Sequence, residues 1–281
     1  MIYQSFIGKV NAGEATLHAG TLMPYEIVES VIGYRYRGCF MKHLSKEEEN
    51  TLNATWNSLP DFGGDENAIA VVDTSGSMYG YGNPMPAAVA LSLGLYFAER
   101  NKGIFHNHFI EFSERPQLIE IKGETFADRL RYIASFNEIA NTNIEAVFKV
   151  ILDAAVKNNI PQSEMPAKIY LISDMEFDSA TYPYGSGKNA TLFGHISAKF
   201  ANYGYKMPRL IFWNVCSRTG TIPMRENENG VALVSGFSPN IASMIMSEKT
   251  DPYECLVETL TSPRYRQIIE EVNRNGAVFK G

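Results

Sequence analysis

The stretch that decides the fold is AIAVVDTSGS, residues 68–77. Its five apolar residues in a row are typical of a buried strand, and the glycine in the polar part permits a tight turn. The Ala- and Leu-rich segment Pro86–Arg100 follows, and it is apolar nearly all round, as a buried core helix is. A short buried strand, a polar turn and a helix form the typical first unit of an α/β sheet.

Apolar runs alternate with amphipathic segments along the rest of the chain. Further strands are predicted at residues 108–112, 117–121, 168–174, 210–215 and 231–235, and further helices at 126–136, 144–157, 192–203 and from about 240 onward. The short turn between the strands at 108–112 and 117–121 indicates a hairpin. We therefore predict an α/β fold with a mostly parallel sheet, one antiparallel edge strand and helices on both faces.

The first 62 residues differ from this alternating pattern. Apolar residues recur at helical spacing over residues 24–32, and Ser45 with Glu48 has the pattern of a capping box at the start of a helix. A turn-rich stretch follows at residues 59–65. We predict two regions, which are a short helical N-terminal extension over residues 1–62 and an α/β domain with C-terminal helices over residues 63–281.

Charge and cysteine content limit the classes of partner and compartment. The 281 residues include 25 Lys and Arg against 31 Asp and Glu, a net charge of −6, and an acidic surface repels phosphate backbones. The three cysteines are scattered and form no zinc pattern or disulfide framework, which favours a reducing compartment. No apolar run approaches the roughly 18 residues of a membrane span, and the N-terminus lacks a signal-peptide pattern. We predict a cytoplasmic protein without a membrane partner; the oligomeric state stays open.

Polar side chains follow two of the predicted buried strands. Asp73, Ser75 and Ser77 come directly after the first, Asp174 ends a later one, and Thr142 lies at the start of a predicted helix. The carboxyl ends of parallel strands meet at one edge of a sheet, which would bring these loops together. Carboxylate and hydroxyl oxygens suit a hard cation. The alternative is an ordinary capping turn, because Asp and Ser are frequent helix caps.

This pattern resembles the metal-ion-dependent adhesion site (MIDAS) of von Willebrand factor A (vWA) domains, over about residues 67–237. The resemblance implies a Rossmann-like vWA fold in which Ser75, Ser77 and Thr142 give hydroxyl oxygens directly to Mg²⁺. It implies that Asp73 and Asp174 act largely through bound water, with Mn²⁺ or Ca²⁺ as alternative ions. Such a site brings few negative charges to the ion, which can then accept a carboxylate from a partner protein.

Five further phrases of the sequence are DTSGSMYG, GNPMPAAVALSLGL, SDMEFD, GYKMPRLIFWNV and VSGFSPN. They are similar to a group of cellular and phage-borne proteins related to the vWA half of the Ro ribonucleoprotein (TROVE) family. Longer members have a helical-repeat domain ahead of this half, and in Ro proteins that domain supplies most of the RNA-binding surface. We expect this chain to lack that domain, and a phage-encoded member would be associated with the virion.

Tyrosines and acidic residues flank the predicted metal site. They are Tyr79, Tyr81, Glu176, Asp178, Tyr182 and Tyr184. Tyrosines on loops are frequent anchors of protein interfaces, so we predict that these residues contact a partner. The alternative is that they are ordinary solvated loop residues.

The leading functional hypothesis is a non-enzymatic, metal-dependent protein-binding module. The alternatives are an RNA-associated ribonucleoprotein component, a structural component of a larger assembly such as a viral particle, and, last, a metal-dependent hydrolase. Tyr34 to Arg37 interleave aromatic and basic residues as single-strand binders do, although a short basic patch in an acidic chain favours an ordinary surface. The sequence has no GxSxG motif and no phosphate-binding P-loop, and we predict no enzymatic activity.

Overall fold

Seven strands form the central sheet within the part of the chain that the computed structural model describes. That part comprises residues 2–19, 22–35, 38–61, 67–80, 82–136, 143–174, 188–216, 224–226, 232–236, 257, 260–261 and 265–274. The sheet strands are β3 (Ala68–Asp73), β4 (His108–Phe112), β5 (Gln117–Glu120), β6 (Lys168–Ser173), β7 (Arg209–Asn214), β8 (Met224–Glu226) and β9 (Ala232–Ser235). Their order across the sheet is β5-β4-β3-β6-β7-β9-β8.

The sheet is mostly parallel. Strands β3, β4, β6, β7 and β9 run in one direction, and β5 pairs antiparallel with β4 at one edge. This confirms the predicted fold class. The opposite edge carries β8, a second antiparallel strand that the sequence did not predict. Three residues are too few to show the alternation by which a strand is recognised.

Helices cover both faces of the sheet. Among the described residues these are α4 (Pro86–Arg100), α5 (Phe126–Ile133), α6 (Ile144–Asn158) and α7 (Lys188–Asn202). The other described helical elements are α8 (Arg266–Arg274) and the single 3-10 turns at Gly76–Tyr79 and Gln162–Glu164. Alternate residues of β3 face the two cores. Ala70 and Val72 pack in the core that contains α4 and α5, whereas Ile69 and Val71 pack in the core that contains α6 and α7. Across the described ranges, no helix combines the length and apolar character needed to cross a bilayer.

The N-terminal region is not purely helical, which corrects the sequence prediction. It contains α1 (Ile2–Asn11), α2 (Pro24–Val31) and α3 (Lys46–Asn57), but between α2 and α3 it forms an antiparallel hairpin of β1 (Ile32–Arg35) and β2 (Gly38–Met41). A close contact between its two strands accompanies the hairpin. Phe40 lies opposite Gly33, where a Cβ atom would come within 2.4 Å of the Phe40 ring. The predicted capping box of α3 is confirmed, since the Glu48 amide donates to Ser45 Oγ and the Ser45 amide donates to Glu48 Oε2.

The N-terminal extension shares the core of the α/β domain. Trp56 of α3 is fully buried and stacks on Phe126 of α5 with 4.4 Å between ring centroids. Its indole Nε1 donates to Glu99 Oε2 of α4 at 2.6 Å. At the start of α4, the main-chain amide of its N-cap residue Met85 donates to Glu29 Oε1 of α2 at 2.7 Å. The extension therefore holds both ends of α4.

Helix α4 lies so close to β3 that one position between them excludes a side chain. A Cβ atom added to Gly94 would lie 2.4 Å from Val72 Cγ2, whereas one added to Gly194 of α7 would meet no heavy atom within 4 Å. We expect Gly94→Ala to lower the free energy of unfolding, because overpacking costs about 1–3 kcal/mol against a gain of up to about 1 kcal/mol in helix propensity. Gly194→Ala, the matched control, should raise it by about 0.5–1 kcal/mol. Urea unfolding midpoints measure both, and an unchanged or higher midpoint for Gly94→Ala would contradict the close packing.

Candidate functional site

The candidate site lies where the strand order reverses. From β3 the chain passes to β4 on one side, and it later returns to β6 on the other side of β3. Loops that leave the carboxyl ends of neighbouring strands diverge at such a point and leave a crevice between them. Asp73 ends β3, and Asp174 directly follows the end of β6. The topology therefore brings the two predicted carboxylates to one place.

The carboxylate of Asp73 is buried and held on both oxygens. The side chain is 3% exposed. Its Oδ1 accepts a hydrogen bond of 2.8 Å from the Ser75 amide, and its Oδ2 accepts one of 2.6 Å from the Ser173 hydroxyl. Asp73 thus has a fixed orientation at the end of β3.

Burial opposes the charge of this carboxylate. Desolvation raises the pKa of Asp73 above its ordinary value, and the hydrogen bonds from Ser173 and Ser75 only partly oppose that rise. The nearby charge of Asp174 raises the pKa of Asp73 further. A buried carboxylate beside another favours the binding of a cation, because the cation offsets both the desolvation and the repulsion.

Two serine hydroxyls lie beside this carboxylate. Ser75 precedes the 3-10 turn Gly76–Tyr79, and the turn brings Ser77 back so that the two Oγ atoms are 3.1 Å apart. Adjacent ligands at about 2.0–2.1 Å from an octahedral Mg²⁺ ion lie about 2.9 Å from each other. The two hydroxyl oxygens therefore fit one edge of a magnesium coordination sphere. Within the described ranges, no group of three or more His, Cys, Asp or Glu side chains could hold a metal, so a cation here would depend on these hydroxyls.

Asp174 joins the same group of residues. It is buried, and its main-chain amide donates a hydrogen bond of 3.2 Å to the thioether Sδ of Met78. The structure thus brings together four residues of the predicted site, which are Asp73, Ser75, Ser77 and Asp174. Thr142 lies outside the described residues, and its role stays a prediction. The helix predicted to follow it is present as α6, whose N-cap is Asn143. The main-chain amide of Asn143 donates to the carbonyl of Ser113, which directly follows β4.

Three residues of the site were missed from the sequence. Ser173 and Met78 contact Asp73 and Asp174 respectively, as described above. The third is Glu111 of β4, which is buried and accepts a hydrogen bond of 3.3 Å from Thr74 Oγ1. Its signal in the sequence is a lone acidic residue within the apolar strand HFIEF, because buried carboxylates need specific partners.

The partner-binding prediction needs one correction. Tyr79 is only 7% exposed, and its ring belongs to the core between β2 and α4. The same burial raises the pKa of its hydroxyl strongly. The 3-10 turn directs Tyr79 inward, so it does not form part of a partner surface. Tyr81, Glu176, Asp178, Tyr182 and Tyr184 lie outside the described residues.

The chain is similar to known proteins in sequence and in fold. A family model described as a domain of unknown function (DUF7788) matches residues 67–272. The uncharacterized protein L728 of Acanthamoeba polyphaga mimivirus is 26% identical over 264 residues, which cover 92% of this chain and 43% of L728. The crystal structure of the Ro (RSR) protein of Deinococcus radiodurans has a TM-score of 0.50 and 13% identity, covering 88% of this chain and 48% of that chain.

The identity and the coverage limit what these likenesses show. At 13% identity, the likeness to the Ro protein shows the fold alone, and it agrees with the Ro-related vWA-like fold that the sequence resemblance implied. The chain spans less than half the length of both proteins.

Proposed function

Since the chain belongs to the DUF7788 family and has the vWA-like fold of the Ro protein, we propose that it is a non-enzymatic binding module that holds a divalent cation. The ion is Mg²⁺, with Mn²⁺ or Ca²⁺ as substitutes, and its target is an acidic group on a partner protein or a neighbouring component of an assembly. The observation that carries this proposal is the pair of serine hydroxyls 3.1 Å apart beside the buried carboxylate of Asp73.

The chemistry follows from the kind of ligand that each residue offers. Ser75 and Ser77 supply neutral oxygens, so they do not reduce the charge of the ion. Asp73 already accepts two hydrogen bonds, which suits a role through bound water. A magnesium ion with mostly neutral ligands remains a strong acceptor of a further carboxylate oxygen.

Serine-to-alanine variants test the proposal directly. Ser75→Ala and Ser77→Ala each remove one hydroxyl oxygen, and we expect at least a tenfold loss of Mg²⁺ and Mn²⁺ affinity by isothermal titration calorimetry, since loss of even an outer-shell partner typically costs 10–100-fold. Ser135→Ala is the matched control, because its exposed hydroxyl donates to the Tyr132 carbonyl of α5 and not to a residue of the site. Unchanged cation affinity in both site variants would refute the proposal.

An RNA-associated role is the second candidate. The observation that favours it is the hairpin β1–β2, where Phe40 is 39% exposed and Lys42, which follows β2, is also exposed. Exposed aromatic and basic side chains close together in sequence are typical of single-strand binding. Filter binding of single-stranded RNA at two salt concentrations separates the candidates. Retention that weakens with salt and with Phe40→Ala supports RNA binding, and negligible retention at low salt excludes direct binding.

A further inference from the structure

Two hydrogen bonds connect the loop after β3 with the end of β6. Both donors are on the β6 side and are consecutive residues, namely the hydroxyl of Ser173 and the main-chain amide of Asp174. Both acceptors are on the β3 side, namely Asp73 Oδ2 and Met78 Sδ. The connected residues are 100 and 96 positions apart in sequence. The two loops that carry the site's carboxylates are therefore tied to each other directly.

The acceptor for the Asp174 amide is unusual because it is a thioether. Met78 has no exposed surface, and the distance from its Sδ to the amide nitrogen is 3.2 Å. A thioether sulfur is a weak acceptor. Even so, a buried amide that loses its acceptor cannot bond to water instead, so the loss costs free energy. Met78 therefore does more at this place than fill volume.

The position of Met78 in the chain links this contact to the cation ligands. Met78 directly follows Ser77, and both belong to the 3-10 turn Gly76–Tyr79. That turn contacts α4 on one side and β2 on the other. One turn thus carries the Ser77 hydroxyl and, at the next residue, the thioether that contacts the opposite loop.

We propose that Met78 is a positioning residue of the metal site, whose thioether holds the main chain of Asp174 so that its carboxylate remains beside Asp73 and the two serines. The inference rests on the proposed function, because its consequence is measured as cation affinity. It assigns to Met78 a role that an apolar residue of equal size would not fill.

The test compares two methionine variants. Met78→Leu keeps a similar volume but removes the acceptor, and such volume-conserving exchanges are usually tolerated. Met165→Leu is the matched control, because Met165 is also buried, at 3% exposure, but belongs to the core on the opposite face of the sheet. We expect at least a tenfold loss of Mn²⁺ affinity by calorimetry for Met78→Leu and no loss for Met165→Leu. Amide hydrogen exchange, followed by NMR without metal, should become faster at Asp174 only in Met78→Leu.

Each outcome has a defined meaning. Equal Mn²⁺ affinity of the wild type and Met78→Leu, or an equal loss in both variants, would overturn the role of Met78 while leaving the metal site intact. Absence of Mn²⁺ binding by the wild type itself would overturn the proposed function together with this inference. If Met78→Leu does not fold, the wild type still decides, because rapid exchange of its Asp174 amide would show that the thioether does not hold it.

Discussion

Replacement of Asp73 by asparagine is expected to stabilise the metal-free protein and to abolish its stabilisation by Mg²⁺. The metal-free variant is more stable because the substitution removes a buried carboxylate, whose pKa is raised by desolvation. The neutral side chain keeps its contacts, since an amide oxygen still accepts from the Ser75 amide and the Ser173 hydroxyl can rotate to accept from the new NH₂ group. The stabilisation by Mg²⁺ is lost because the carboxylate that favours cation binding is absent.

The size and the pH dependence of this effect follow from linkage. At an Mg²⁺ concentration about 100 times Kd, the wild type should gain about 2.7 kcal/mol, or about 5–10 °C in Tm, and Asp73→Asn should gain nothing. A carboxyl group whose pKa is raised on folding destabilises the protein as the pH rises through that pKa. The advantage of the metal-free variant should therefore vanish at acid pH, below the ordinary pKa of Asp, and Mg²⁺ should stabilise the wild type less as the pH falls.

Thermal unfolding followed by circular dichroism, with Mg²⁺ or with EDTA, measures both parts of this prediction. Asp153→Asn is the control, because Asp153 is an exposed carboxylate paired with Lys149 on α6. It should change neither the Tm nor the Mg²⁺ response, as is usual for surface substitutions. A variant at Asp73 that is still stabilised by Mg²⁺ would show that the cation binds elsewhere.

Replacement of Trp56 by alanine is expected to cause the largest loss of stability, about 3–5 kcal/mol. Trp56 is fully buried between α5 and α4, with its ring stacked on Phe126 and its indole nitrogen bonded to Glu99. Its loss would leave a cavity. Of its two partners Trp56 and Arg129, the Glu99 carboxylate would keep only Arg129. Trp56→Phe keeps an aromatic ring but removes the donor, so we expect a smaller loss of about 1–3 kcal/mol.

Guanidinium unfolding of the full chain measures these losses. Tyr3→Ala on α1 is the control, since that side chain is largely exposed and its loss should stay within about 0.5 kcal/mol. Because Trp56 packs directly on α4 and α5, the extension and the α/β domain should unfold in one transition. A separate early transition, or a loss below about 1 kcal/mol for Trp56→Ala, would contradict the shared core.

The parts of the fold that were predicted correctly have a strong local pattern. The strands β3 and β6 are continuous apolar runs, and α4 is a long apolar segment that begins at a proline, so composition and period identified them. The hairpin β1–β2 was missed because it depends on Phe40 covering Gly33, a contact between strands that no helical or strand period shows. β8 was missed because it has only three residues.

The candidate site divides in the same way. Asp73, Ser75, Ser77 and Asp174 stood out because each lies at or just after a strand end, where parallel sheets place ligands. The contacts of Ser173 and Met78 arise between segments about 100 residues apart, and the burial of Tyr79 arises where its turn packs between β2 and α4. Such contacts depend on the packed arrangement and leave no local trace in the sequence. The roles of Thr142 and of the partner-binding residues stay predictions.

The stacking of Trp56 on Phe126 has a consequence for the order of events during synthesis. The ribosome makes the extension first, but Trp56 cannot stack on Phe126 until α5 exists, 70 residues later. At about 5–20 residues per second, Trp56 lacks this partner for roughly 4–14 s. During that interval the indole ring is open to non-native contacts, and slow translation of residues 57–126 would lengthen its exposure to aggregation.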